Sequence, residues 1–126
     1  MNGYLTEESS AVLDETVLRG QIGDDSAFLE ELLVVFAVTI DAQVVALLAA
    51  AARGDSTTIA GHAHAIKGAA ANIGAGALLS AAAALERAAL QGDIAAHALE
   101  ALHSAWRKLQ HHPAIEPFVK KANGMA

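Results

Sequence analysis

The sequence contains no cysteine. That absence excludes disulfides, thiolate metal sites and cysteine nucleophiles, and it suits a reducing compartment. Aromatic residues are scarce, at 4%: three Phe, one Trp and one Tyr. Valine and isoleucine thin out after Val45, and no alternating apolar–polar run appears, so strand signals are poor. Positive charge is also in short supply. Eight Lys and Arg face fourteen Asp and Glu, a net charge of −6 with neutral histidines. An acidic surface repels phosphate backbones, so no nucleic-acid partner is expected. The apolar stretch over residues 32–52 is broken by Thr39, Asp41 and Gln43 and reads poorly as a membrane span. The opening "MNGYLTEESS" has neither the basic nor the apolar region of a secretion signal. The expectation is a soluble cytoplasmic chain without a membrane partner.

What is present is apolar and small. Hydrophobic residues make up 54% of the 126 positions, much of it alanine. Small side chains let helices approach closely, and the length suits a single domain spanning 1–126. Three Gly-Asp pairs (Gly23-Asp24, Gly54-Asp55 and Gly92-Asp93) punctuate the chain, and "GAG" at 74–76 adds a fourth break. Glycine can end one helix in the left-handed conformation, and the aspartate can cap the next.

The breaks leave four long helical segments, about Ser26–Arg53, Ser56–Ile73, Ala77–Gln91 and Ile94–Gln110. The first carries Phe28, Leu32, Val35, Phe36, Thr39 and Ile40 at three- and four-residue spacing. The last repeats such a stripe with Ala98, Leu102, Trp106 and Leu109. "VLDETVLRGQI" predicts a short N-terminal helix covering one end. "HHPAIEPFVKKANGMA" predicts an irregular tail over 111–126 that frays, outside a core of about 12–110. Short connections imply antiparallel neighbours, hence an all-α, up-down-up-down four-helix bundle.

The stretch "GHAHAIKGAAANIGAGA", residues 61–77, is the most informative. At 100° per residue, with His64 set to zero, Ile59, Ile66 and Ile73 fall at about 180° to 220°, beside Ala69 and Ala70. That side is the core, and His64 points away from it. His62, at about 160°, lies on the core side and should find local partners there. The face around His64 holds Ala60, Gly61, Lys67, Gly68 and Ala71, and only Lys67 has a side chain beyond one carbon.

Each glycine inside a helix costs about 1 kcal/mol relative to alanine. A solvated face gains nothing from it, whereas a partner that must approach the imidazole gains clearance. Lys67, three residues on, can reach the same space. A histidine of ordinary pKa is largely neutral and nucleophilic at pH 7. A phosphoryl group on it would bring about −1.5 to −2 charges, which a lysine offsets in part.

A lone exposed histidine is ordinarily just a surface residue, as His97, His103, His111 and His112 are expected to be. Asn72 reads as a helix-end residue. Bundles also host carboxylate-bridged metals, but these need two Glu-x-x-His pairs, and only Glu100 and His103 have that spacing. No metal is expected on this chain.

"AHAIKGAAANIGA", residues 63–75, resembles the signature of histidine-containing phosphotransfer (HPt) domains, in which H-x-x-K-G is followed by an apolar residue and glycine. "VLDETVL", "FLEELLVVF" and "ALERAALQGD" resemble the family's flanking helices, so the likeness covers roughly residues 12–110. Ile66 and Ala69 stand where leucine and serine are common. The resemblance implies that His64 accepts the phosphoryl group, that Lys67 is its charge partner, and that Gly68 provides clearance. Ala60, Gly61 and Ala71 would complete the docking face.

It further implies a monomeric phosphoryl carrier rather than an enzyme. The partner would be a response-regulator receiver domain or a hybrid sensor histidine kinase. The chain itself would hold no cofactor, and Mg²⁺ would sit on the receiver with the reacting aspartate. A bundle that merely docks a partner without phosphotransfer is the alternative, and it would need neither His64 nor Lys67. Direct phosphorylation by ATP-bound kinase machinery would change the donor but not the site. No strand-to-helix glycine-rich nucleotide loop is present, so the chain should not use ATP itself.

Overall fold

The computed structural model describes residues 12–124. The N-terminal stretch read for a secretion signal and the last two residues, expected to fray, lie outside the described residues. Six helices and no strand occur among the described residues: α1 (Glu15–Ile22), α2 (Ser26–Ala52), α3 (Ser56–Ile73), α4 (Gly76–Leu90), α5 (Ala96–Gln110) and α6 (Glu116–Ala122). Successive long helices pack on one another, α2 on α3, α3 on α4 and α4 on α5, while α6 lies against α2.

Helix starts follow the local capping chemistry. The Asp14 carboxylate accepts hydrogen bonds from the amides of Thr16 and Val17 at 3.0 and 3.3 Å, opening α1. Asp25, not Asp24, caps α2 by accepting from the Phe28 amide at 2.9 Å. Asp55 caps α3 as its Gly-Asp pair predicts. The third pair behaves differently. Asp93 accepts from the Ala95 amide at 2.8 Å, within the loop. Ala95 takes a left-handed φ of 54°, and α5 starts at Ala96 rather than near Ile94.

Gly74 ends α3 at φ 80°. Its carbonyl accepts from the Asp14 amide at 2.8 Å, which docks α1 on this end of the bundle. A Cβ there would stand 2.7 Å from the Asp14 carbonyl oxygen and 2.9 Å from Val17 Cβ, so no other residue fits without displacement.

The core corrects the stripe expected on α2. Leu33, Phe36, Ala37, Ile40, Val44, Leu47 and Ala50 are buried, whereas Phe28, Val35 and Thr39 are exposed. α2 is apolar on nearly every side, so its periodicity carries no phase, and packing alone decides which face turns inward. On α5 the expected residues Leu102, Trp106 and Leu109 are buried. The Trp106 ring meets Phe36 edge-on at 6.1 Å between centroids, joining α5 to α2. The indole N–H of Trp106 is buried without a hydrogen-bond partner.

The tail is not irregular throughout, as expected for 111–126. Residues 116–122 form α6, and Ile115 before it is fully buried. Pro117 sits in the first turn, where a backbone N–H has no helical partner to lose, so it starts this helix rather than breaking it. Lys121 pairs with Glu30 on α2 and pins α6 there.

Candidate functional site

α3 carries the site, and its start is firmly set. Asp55 accepts from both the amide and the hydroxyl of Thr58, at 3.1 and 2.6 Å. The hydroxyl bond is the main reason the Asp55 carboxyl is held below its ordinary value of 3.8. From there the helical period fixes the faces. Ile59, Ala63, Ile66, Ala70 and Ile73 are buried, which is the core side read from the sequence. His64 is the opposite, with 68% of its side chain exposed. Gly61, Gly68 and Ala71 are exposed beside it. A Cβ built on Gly61 or Gly68 meets nothing within 4 Å. Nothing in this fold therefore requires glycine at either position.

Ala60 does not join that face. It is only 5% exposed and belongs to the core. It stands two turns before Lys67, whose ammonium meets Glu86 on the next helix, so the helical period puts Ala60 on that same side of α3. His62 is partly buried, and its Nδ1 lies 2.5 Å from Gln43 Oε1 on α2. The two histidines thus face different neighbours, as the wheel requires.

Packing adds a residue that the sequence reading did not single out. Glu86, on α4, lies beneath His64 and Lys67 with only 16% of its side chain exposed. One carboxylate oxygen is 2.8 Å from His64 Nδ1, and the other is 2.6 Å from Lys67 Nζ. The Lys67 hydrogen bond is the chief cause holding the Glu86 carboxyl below its ordinary 4.5, with the His64 bond adding to it against desolvation. An ionised carboxylate only accepts, so His64 Nδ1 must donate. In a neutral ring that leaves Nε2 with the lone pair, hence the nucleophilic nitrogen. The only sequence signal for Glu86 is its position after the buried Leu85, as a lone acid in the alanine-rich "AAAALERAAL".

The remaining candidates are scattered. Asn72 is exposed in the last turn of α3. His97 and His103 are exposed on α5, as is His111, which pairs with Glu116 at 3.3 Å. His112, expected at the surface, is half-buried, and its Nδ1 accepts from the Ala114 amide at 3.1 Å, shaping the turn into α6. Among the described residues no group of three or more His, Asp or Glu side chains could hold a metal ion together.

One exposed imidazole, fixed in tautomer by a carboxylate, beside a lysine and a bare helix face, is equipped to exchange a phosphoryl group with a docked partner. In comparison with protein families, residues 31–112 match the model of the Hpt domain. The chain belongs to the Hpt domain family. Hpt domains are phosphocarrier modules of two-component signalling rather than catalysts in their own right. The matched segment runs from α2 through α5 and so contains His64, Lys67 and Glu86. No curated protein and no solved structure matches the chain significantly.

Proposed function

We propose that this Hpt domain is a phosphorelay intermediate that carries the phosphoryl group on Nε2 of His64, receiving it from, or passing it to, the aspartate of a receiver domain. The observation that carries this reading is the Nδ1 bond to Glu86 on an otherwise exposed ring. In the forward step Nε2 attacks phosphorus, an N–P bond forms, and the acyl-phosphate O–P bond breaks. The aspartate leaves as a carboxylate. The proton stays on Nδ1, so the phosphorylated ring becomes formally cationic, and the Glu86 carboxylate beneath it offsets that charge. Reversing these events returns the group.

Lys67 is held beside the ring by Glu86 and stands within reach of the incoming phosphoryl oxygens. Gly61, Gly68 and Ala71 keep the approach free of side chains. The receiver docks over α3 and its neighbouring helix, bringing its own aspartate and Mg²⁺. The donor is such a receiver, free or part of a hybrid sensor kinase, in the cytoplasm. Contacts between successive helices, joined by short connections, support an up-down-up-down arrangement of α2 to α5.

The test is incubation with phosphorylated receiver domains, comparing the native chain with His64→Gln and His62→Gln. Label is expected on the native chain and on His62→Gln, and not on His64→Gln. Equal labelling of His64→Gln would sink the assignment.

A further inference from the structure

Among the described residues, the outer face of α2 has no partner. Val35 and Val45 are each 62% exposed and Val38 is 53% exposed. With Ala42, Ala49 and Ala52, also exposed, they occupy positions separated by three and four residues alternately. That is the spacing a two-helix coiled-coil seam needs, and the face lies about 180° from the buried line through Ile40.

We propose that this seam pairs with the same seam of a second copy, antiparallel and two-fold symmetric. The order of side-chain sizes carries the inference. Reversing one helix about a point between Ala42 and Val45 sets Val35 against the partner copy's Ala52, Val38 against Ala49, and Ala42 against Val45. Every valine then meets an alanine, which lets the axes come to roughly 8 Å. A parallel pairing sets valine on valine and alanine on alanine.

Charge agrees with the antiparallel choice. Glu31 continues the seam beyond Val35, and Arg53, which lies 3.6 Å from Asp55 but keeps 58% of its side chain exposed, follows Ala52. The two-fold places Glu31 of one copy about 4.5 Å along the axis from Arg53 of the other, twice over. In a parallel pair Glu31 would face Glu31. Asp41 lies on the flank and stays in water.

The paired face is about 26 Å long and one helix wide, so the area buried is at the low end for a specific interface, and association should be weak. Dilute protein stays monomeric. A lipid surface suits the seam less well. By length and composition α2 could cross a membrane, with a mean hydropathy of 2.4 over its best window, but a third of that window (33%) is buried inside the bundle. Its exposed side carries Glu31 and Asp41 and no basic residue before Arg53, unlike helices that lie on anionic bilayers. The seam is also distinct from the phosphoryl site. Gln43, on the α3-facing flank of α2, binds His62, whereas His64 is turned to α4.

Sedimentation equilibrium of the full chain tests this. The weight-average mass should rise from 12.9 kDa toward twice that value as concentration climbs into the high micromolar range. Val38→Glu/Val45→Glu, altered only at exposed positions and checked for native helicity, should stay at the monomer mass throughout and accept phosphoryl groups at the native rate. The chain has no cysteine, so register can be read directly. Mixed Val38→Cys and Ala49→Cys chains should form the mixed disulfide on oxidation. Neither alone should link to itself, because its own positions lie about 16 Å apart along the pair.

Constant monomer mass of the native chain at all concentrations overturns the proposal. So does preferential self-linking of Val38→Cys. A glutamate variant that loses transfer from the receiver without any change in mass would give this face to the receiver instead. Native chain pelleting with phosphatidylcholine–phosphatidylglycerol vesicles while never dimerising would give it to lipid.

Discussion

Replacing Gly68 by alanine should stabilise the fold while leaving the exchange site more crowded. Gly68 lies inside α3, its φ is helical, and a Cβ there touches nothing within 4 Å. The gain is the helix-propensity difference, about 1 kcal/mol. For a domain of this size that raises Tm by roughly 3 to 5 °C. The identical substitution at Gly74 should act in the opposite direction. There φ is 80° and the new Cβ would stand 2.7 Å from a backbone oxygen, so a loss of more than about 1 kcal/mol is expected.

Function should separate from stability at Gly68. Gly68→Gln adds a side chain one turn from His64 and should slow transfer from a phosphorylated receiver by about tenfold or more, equivalent to about 1.4 kcal/mol of lost encounter. Melting curves followed by circular dichroism and initial labelling rates read the two effects on the same preparations. A destabilised Gly68→Ala would mean that glycine is needed by the fold. Native transfer rates in a folded Gly68→Gln would mean that no partner passes over this face. Either result refutes the clearance explanation.

Other consequences can be checked as directly. Glu86→Ala should slow labelling of His64, and nitrogen-15 spectra should show its ring leaving the Nδ1–H tautomer that the native chain holds; an unchanged tautomer would show that Glu86 does not set it. Because its folded-state pKa is depressed, Glu86 contributes stability that is present above its ordinary 4.5 and lost as pH falls through the lower folded value. The Tm difference between native and Glu86→Gln should therefore shrink as pH falls through that acid range. Trp106→Phe removes a buried N–H without a partner and some volume together. It should cost less than about 1.5 kcal/mol in urea denaturation, against roughly 3 to 5 for Trp106→Ala.

Much of the site was legible because it is local. The helical angle between His64 and Ile66 depends on two residues of chain, and the caps of α1 and α3 depend on three or four. Those short-range rules placed His64 outside and His62 on the core side, and the same stretch carried the family likeness. The exposed face was read one residue too widely, at Ala60, because its edge is set by where α4 rests rather than by α3 itself. The helix at residues 116–122 differs from the irregular tail expected, because Pro117 occupies the first turn, where it is compatible with a helix.

The sequence alone determined the helical class, the outward histidine and the glycines around it, since each follows from spacing within a few turns. Only the tertiary structure decided which side of α2 is core, because a helix apolar all round has no preferred phase until its neighbours supply one. Only the tertiary structure brought Glu86 beneath His64 and Lys67. The acid and the imidazole lie 22 positions apart on different helices, and no periodicity within one helix encodes a contact made by the packing of two.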